Sequence, residues 1–195
     1  MAHKTIINLT QEELQVVLED CRQNKRAAQE KLYKYFYADI FRLCQRYAGD
    51  PHASLSIMND AFLKVFKNIA HYREALGQFK SWLKTIVINT AIDHLRSQKK
   101  DIRLVYIDHI QEQGDEDFTL RHRWKHDELM EHLQYLPNIT RTVVNLFAFD
   151  GYAHKEIALH LDITETTSRW HLSEARKRLR ESLQFNNPKK LSKHE

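Results

Sequence analysis

The stretch His154-Lys-Glu-Ile-Ala-Leu-His-Leu161, followed by Asp162-Ile163-Thr164 and then by Glu165-Thr-Thr-Ser-Arg-Trp-His-Leu-Ser-Glu-Ala-Arg-Lys-Arg-Leu-Arg180, sets the class of this chain. It predicts a short helix over 154–161, a three-residue turn, and a longer basic helix from Thr166 to about Leu183. That order is the helix-turn-helix arrangement. Ala158 is small where the two helices would cross. Asp162 stands in the turn where glycine is common, and Asp tolerates left-handed geometry better than most residues. The second helix sorts into two faces. Ser168, Leu172, Ala175 and Leu179 step by 4, 3 and 4 and form the core side. Arg169, Trp170, Ser173, Glu174 and Lys177 project from the other side. An Arg there can take guanine in a bidentate pair, and a Glu can accept from the cytosine amino group. The alternative is a solvated charged face. An exposed Trp170 in the middle of it favours a ligand.

Outward from this pair, composition narrows the choices. The 195 residues include only 4 Gly and 3 Pro, far below the roughly one in eight of average proteins. So few breakers argue against a turn-rich sandwich, a barrel or a glycine-cradled nucleotide site, and favour helices with short connections. A 42% hydrophobic content is enough for a core. No apolar run approaches the ~20 residues of a membrane span, and the first residues lack a signal peptide's apolar centre. Two cysteines, Cys21 and Cys44, are too few for a disulfide framework or a thiolate cage. These features predict a cytoplasmic protein without membrane insertion. The net charge of +4 hints at a polyanion. Its distribution says more: Asp108 to Asp117 holds five acids and no Lys or Arg, while Thr164 to Arg180 holds five basic residues against two Glu.

The apolar period predicts further helices. Thr10-Gln-Glu-Glu13 reads as a capping box opening a helix to about Asn24. Leu32, Phe36, Ile40, Leu43 and Tyr47 mark a second helix, stopped at Gly49-Asp50-Pro51. Leu55, Met58, Phe62, Val65 and Ile69 mark a third. After a loop around Gly77, Ser81 is the expected N-cap of a fourth helix reaching about Lys100, with Leu83, Val87, Ala91 and Leu95 buried. Beyond the aperiodic segment 101–126, helices are expected from Asp127 to Leu136 and from Arg141 to Phe149. The expected architecture is all-α. Helical domains over 10–100 and 127–185 are joined by an acidic linker, 101–126, and followed by a polar tail, 186–195.

A second constellation lies on the fourth helix. Phe79, Lys80, Trp82, Asn89, Arg96, Lys99 and Lys100 interleave aromatic rings with cations and amides, which suits a single strand whose bases stack. Asn89, Asp93 and Arg96 share one stripe, where Asp93 can hold Arg96 at i+3. The alternative makes Phe79 and Trp82 core aromatics beneath a solvated stripe. His122 and His126 are spaced for one helical face, but no third ligand accompanies them, so no metal site is expected. No nucleophile triad or phosphate loop appears, so neither catalytic residues nor cofactors are expected.

Three stretches together resemble the extracytoplasmic-function class of bacterial RNA polymerase sigma factors, in the sigma-70 superfamily. Phe79–Arg96 (FKSWLKTIVINTAIDHLR) resembles the part of sigma region two that melts and reads the minus-ten element. Leu136–Arg180 (LPNITRTVVNLFAFDGYAHKEIALHLDITETTSRWHLSEARKRLR) resembles region four, which reads the minus-thirty-five element. Asp50–Phe66 (DPHASLSIMNDAFLKVF) is similar to the helix that grips the polymerase clamp. The likeness spans about Gln29 to Leu183. The chain departs from it at Leu55-Ser56, where the family has an acidic pair, and at Trp170, His171 and Glu174.

The resemblance implies a non-enzymatic factor that directs polymerase to specific promoters and promotes melting. Its partners would be core RNA polymerase, promoter DNA and an anti-sigma factor, often membrane-bound. Arg169, Trp170, Ser173, Glu174 and Lys177 would read duplex, with Arg141, Lys155 and Arg176 on phosphates. Lys80, Trp82, Asn89, Arg96, Lys99 and Lys100 would hold the melted strand. Asn59, Asp60 and Lys64 would meet polymerase. The linker acids Asp108, Glu112, Asp115, Glu116 and Asp117 would thread polymerase channels as a mimic of RNA. Two rivals use the same residues differently: a two-domain repressor or activator that never joins polymerase, and a nucleic-acid-modifying enzyme using the His-rich segment.

Overall fold

A computed structural model of the chain describes residues 8–97 and 126–185. Lys99, Lys100, the linker acids, His122 and the 186–195 tail fall outside the described residues. The chain divides into two compact units, residues 1–94 and 95–195. Among the described residues both are helical, and no strand occurs.

The first unit opens with α1, Gln11–Arg22, under the expected capping box: Glu13 N donates to Thr10 Oγ1 at 3.2 Å, and Thr10 N to the Glu13 carboxylate at 2.9 Å. After a turn through Asn24 (φ 57°), α2 runs Arg26–Ala48. It starts well before Leu32, because Ala27 and Ala28 are strong helix formers and need no side-chain cap. Gly49 ends α2 in the left-handed region at φ 82°, its N–H donating to Gln45 O. Asp50 then caps α3, Pro51–Asn68, accepting from Ala53 N at 2.9 Å, with Pro51 at the first helical position. The tripeptide read as a stop is therefore both the end of one helix and the start of the next.

Helices α1 and α3 both pack on α2. Leu18, Leu32, Ile57, Met58, Phe62 and Val65 are excluded from solvent, with Phe36 nearly so. Cys21 and Cys44 are buried free thiols. Burial pushes Cys44 up to about 12, while burial and the Asp20 charge push Cys21 up to about 11. Both remain neutral thiols at physiological pH.

Helix α4, Phe79–Ser97, begins two residues before the expected cap. Gln78 O accepts from both Ser81 N and Trp82 N, so Ser81 lies inside the first turn. Phe79 is drawn in because its ring is buried between Phe36 and Tyr72, at 5.6 and 5.2 Å. Leu83, Val87, Ala91 and Leu95 are buried as expected. Ile88, Thr90 and Ile92 join them and make the apolar face wider than the period indicates.

In the second unit, α5 (His126–Gln134) leads to α6 (Asn138–Val144), which continues as a π-type turn over Asn145–Phe149. Then come α7 (His154–Leu161) and α8 (Glu165–Phe185), and α5, α6 and α7 all pack on α8. Asp162 holds the turn at φ 55°, its backbone N–H donating to Ala158 O. Thr164 caps α8, its Oγ1 accepting from Thr167 N at 3.0 Å. The core is built from Leu133, Val143, Leu146, Ile157, Leu161, Leu172, Ala175 and Leu179.

Candidate nucleic-acid interfaces

The face of α8 is set by what α8 buries. Ser168, Leu172, Ala175 and Leu179 point inward as expected, and His171 joins them, wholly buried. Two hydroxyl–imidazole bonds lock this side. His154 Nδ1 lies 2.9 Å from Ser168 Oγ, joining the first turns of α7 and α8, while Phe147 stacks on the imidazole at 4.5 Å. His171 Nδ1 lies 3.0 Å from Thr140 Oγ1 and joins α8 to α6. Buried polar groups of this kind are costly when unpaired, so each bond fixes the rotation of α8. Sequence reading missed both histidines. Position 171 falls on the same stripe as 168, 172 and 175, which was the available signal.

The outward residues are thereby brought together on one side. Arg169 and Lys177 are exposed, and Ser173 is half-buried. Trp170 is not the exposed ring that the sequence predicts. It is half-buried, with its ring edge-on to His171 at 4.9 Å, because its neighbour turns into the core. Arg169 is held by Glu165, and Glu174 accepts from Arg178, each an i,i+4 pair. Glu174 therefore carries its own counter-charge.

Of the expected phosphate contacts, Lys155 is exposed on α7 and Arg176 half-buried on α8. Arg141 is corrected. It is 3% exposed, and its guanidinium donates to Gln134 O at 3.1 Å and Asn138 Oδ1 at 2.9 Å. Every residue of α6 from Ile139 to Val144 is buried, so Arg141 closes the carbonyl end of α5 rather than meeting phosphate.

On α4, Lys80 and Asn89 in the first unit are exposed, as is Arg96 past its boundary at residue 94. Lys80 Nζ donates to Asp39 Oδ2 of α2 at 2.8 Å. Trp82 is half-buried, its ring 5.5 Å from Tyr72 and 5.6 Å from Phe79. It has one side on the core and one side on solvent, so the two readings of Trp82 are not exclusive. Asp93 does not hold Arg96 as expected; it accepts from Lys64 Nζ of α3 at 2.9 Å. The carboxylate is taken by a lysine from another helix, a partner that i+3 spacing does not reveal. On α3, Asn59 and Asp60 are exposed, opposite buried Phe62 and Val65. Asn59 Oδ1 accepts from Tyr33 OH at 3.0 Å. Among the described residues, no group of three or more His, Cys, Asp or Glu is placed to hold a metal.

Two family models match the chain: the one described as Sigma-70 region 2 over residues 32–101, and the one described as Sigma-70, region 4 over residues 126–179. The RNA polymerase sigma-H factor of Pseudomonas aeruginosa is 27% identical over 192 residues, covering 90% of this chain and 96% of that protein. The RNA polymerase sigma factor SigV of Bacillus subtilis is 32% identical over 122 residues, covering 62% of this chain and 69% of that protein. Among solved structures, the Bartonella quintana sigma factor RpoE, in complex with the anti-sigma factor NepR, covers 90% of this chain and 97% of its own at 17% identity. The TM-score there is 0.46.

Proposed function

We propose, for a chain that belongs to the extracytoplasmic-function class of the sigma-70 family and so serves promoter-specific initiation by RNA polymerase, a division of labour among three surfaces. The α8 face of Arg169, Trp170, Ser173, Glu174 and Lys177 reads duplex DNA in a major groove. Lys155 and Arg176 set register on phosphates, which carry position rather than sequence. The α4 face of Lys80, Trp82, Asn89 and Arg96 holds the melted strand; Lys99 and Lys100, outside the described residues, share that role on the family resemblance alone. Asn59 and Asp60 on α3 meet core polymerase. The observation that carries this reading is the two-sided α8, whose buried histidine bonds hold one polar side outward behind a capped turn.

The chain supplies binding energy and no bond chemistry; nucleotidyl transfer belongs to polymerase. Melting a base out of the duplex costs a few kcal/mol, which stacking on Trp82 and capture beside Asn89 offset. The work is cytoplasmic, and among the described residues no helix is long and apolar enough to cross a membrane. An anti-sigma partner covering these faces and an acidic linker in polymerase channels belong to the same reading, both resting on the family. The domain limits 10–100, 101–126 and 127–185 are carried with it.

In vitro selection from a random DNA pool tests the proposal. The chain reconstituted with core polymerase should retain a two-part element and transcribe from it. Selection of one element by the chain alone, with no gain from polymerase, would instead describe a free-standing repressor or activator.

A further inference from the structure

An acid on a strand-binding surface needs an explanation. Asp93 lies one turn beyond Asn89 on α4, exposed, on the same side that offers amides and cations to a polyanion. A lone carboxylate there repels phosphate by roughly 3-fold in affinity for one phosphate about 7 Å away at the dielectric of water, and by more where the strand displaces water. The carboxylate is not left alone. Lys64 crosses from α3 and places its ammonium 2.9 Å from Asp93 Oδ2. The two side chains remain 45% and 58% exposed. Ion pairs so open to solvent contribute little to folding, so stability is a poor reason for a lysine to reach between helices.

We infer that Lys64 is a positioning residue of the promoter-strand face: its ammonium masks the Asp93 charge so that a phosphate backbone can lie across α4. This takes Lys64 off the polymerase-contact surface on which the family resemblance places it, leaving Asn59 and Asp60 there. The inference rests on the reading of α4 as the melted-strand surface. It makes a directional claim: what matters is the net charge at Asp93, not the ion pair as a tie between α3 and α4.

Holoenzyme made from the full chain and core polymerase tests the inference. Its probe is a premelted promoter fragment taken from the selected pool. Lys64→Ala should weaken binding of that fragment by roughly 3–10-fold, with affinity for core polymerase unchanged in a competition assay. Adding Asp93→Asn to Lys64→Ala should return fragment binding to within about two-fold of wild type, although the ion pair is still missing. A purely structural tie predicts no such rescue. Three results overturn the inference: fragment binding by Lys64→Ala equal to wild type, a loss that Asp93→Asn does not restore, or a loss of core affinity. Asn89→Ala separates this failure from that of the underlying reading. If Asn89→Ala weakens fragment binding and Lys64→Ala does not, only the masking role falls. If neither weakens it, the strand-face reading falls too.

Discussion

Trp82 is where stability and function can be pulled apart. Its ring is half-buried against Tyr72 and Phe79. Aromatic side chains bury about 150–250 Å² when fully enclosed, so truncation to Ala exposes or vacates on the order of 100 Å². At ~25 cal/mol/Å² that is about 2.5 kcal/mol, and two tilted ring contacts add ~0.5–1.5 kcal/mol each. Trp82→Ala should therefore destabilise the first unit by roughly 3.5–5.5 kcal/mol. A base stacked on the outer side contributes ~1–3 kcal/mol, about 5- to 150-fold in open-complex formation. Since Ala removes both, it cannot separate them.

Trp82→Met can. Methionine keeps an apolar chain and a sulfur–aromatic contact worth ~0.3–1.5 kcal/mol, so the loss of stability should be about half that of Ala. It keeps no flat face for a base. Permanganate footprinting of holoenzyme, well below the unfolding midpoint and at matched core occupancy, should show Trp82→Met opening promoters nearly as poorly as Trp82→Ala. Urea unfolding of the full chain should rank Met clearly above Ala. If Trp82→Met opens promoters as wild type does, the ring serves the core alone.

Other outcomes follow from the same geometry. Asp60→Arg reverses an exposed charge opposite the α3 core and should weaken core polymerase binding at least about ten-fold, or ~1.4 kcal/mol; unchanged competition would remove α3 from the contact. Glu174→Ala should relax preference at one base pair by roughly 1–3 kcal/mol, whereas a selected pool identical to that of wild type would leave Glu174 serving Arg178 alone. The thiols raised to about 11 and about 12 at Cys21 and Cys44 ionise far more easily once unfolded, near pH 8.5. Their contribution to stability is complete below that value and fades as pH rises through the folded ones. Alkylation by iodoacetamide at pH 8 should accordingly wait for unfolding; rapid labelling of the folded chain would contradict the burial.

Much of this was legible because apolar period and cap chemistry agree locally. Thr10-Glu13, Asp50-Pro51 and the Asp162 turn are each signalled by residue types that satisfy backbone groups in only a few geometries. What escaped notice depends on partners distant in sequence. The start of α4 moved to Phe79 because its ring meets Phe36, a contact across 43 positions that no local propensity encodes. Arg141 reads as a surface cation until Gln134 O and Asn138 Oδ1 are seen to claim it. His171 looks polar, yet it is a core residue because Thr140 satisfies it. The Lys64–Asp93 pair joins two helices and is hidden from local spacing for the same reason. The outward residues of α8, Trp170 apart, are readable by exclusion, since a helix that buries one stripe must present the other.

The central claim is that α8 reads duplex while α4 takes the strand only after melting. Benzophenone probes attached at Ser173→Cys and Asn89→Cys test it most directly, because the native thiols are buried and neutral. In holoenzyme, the Ser173 probe should crosslink duplex DNA in closed and open complexes alike. The Asn89 probe should crosslink the melted strand, and only once the complex has opened. Crosslinking of one and the same duplex segment by both probes, or an Asn89 crosslink that forms equally well without core polymerase, would contradict the account.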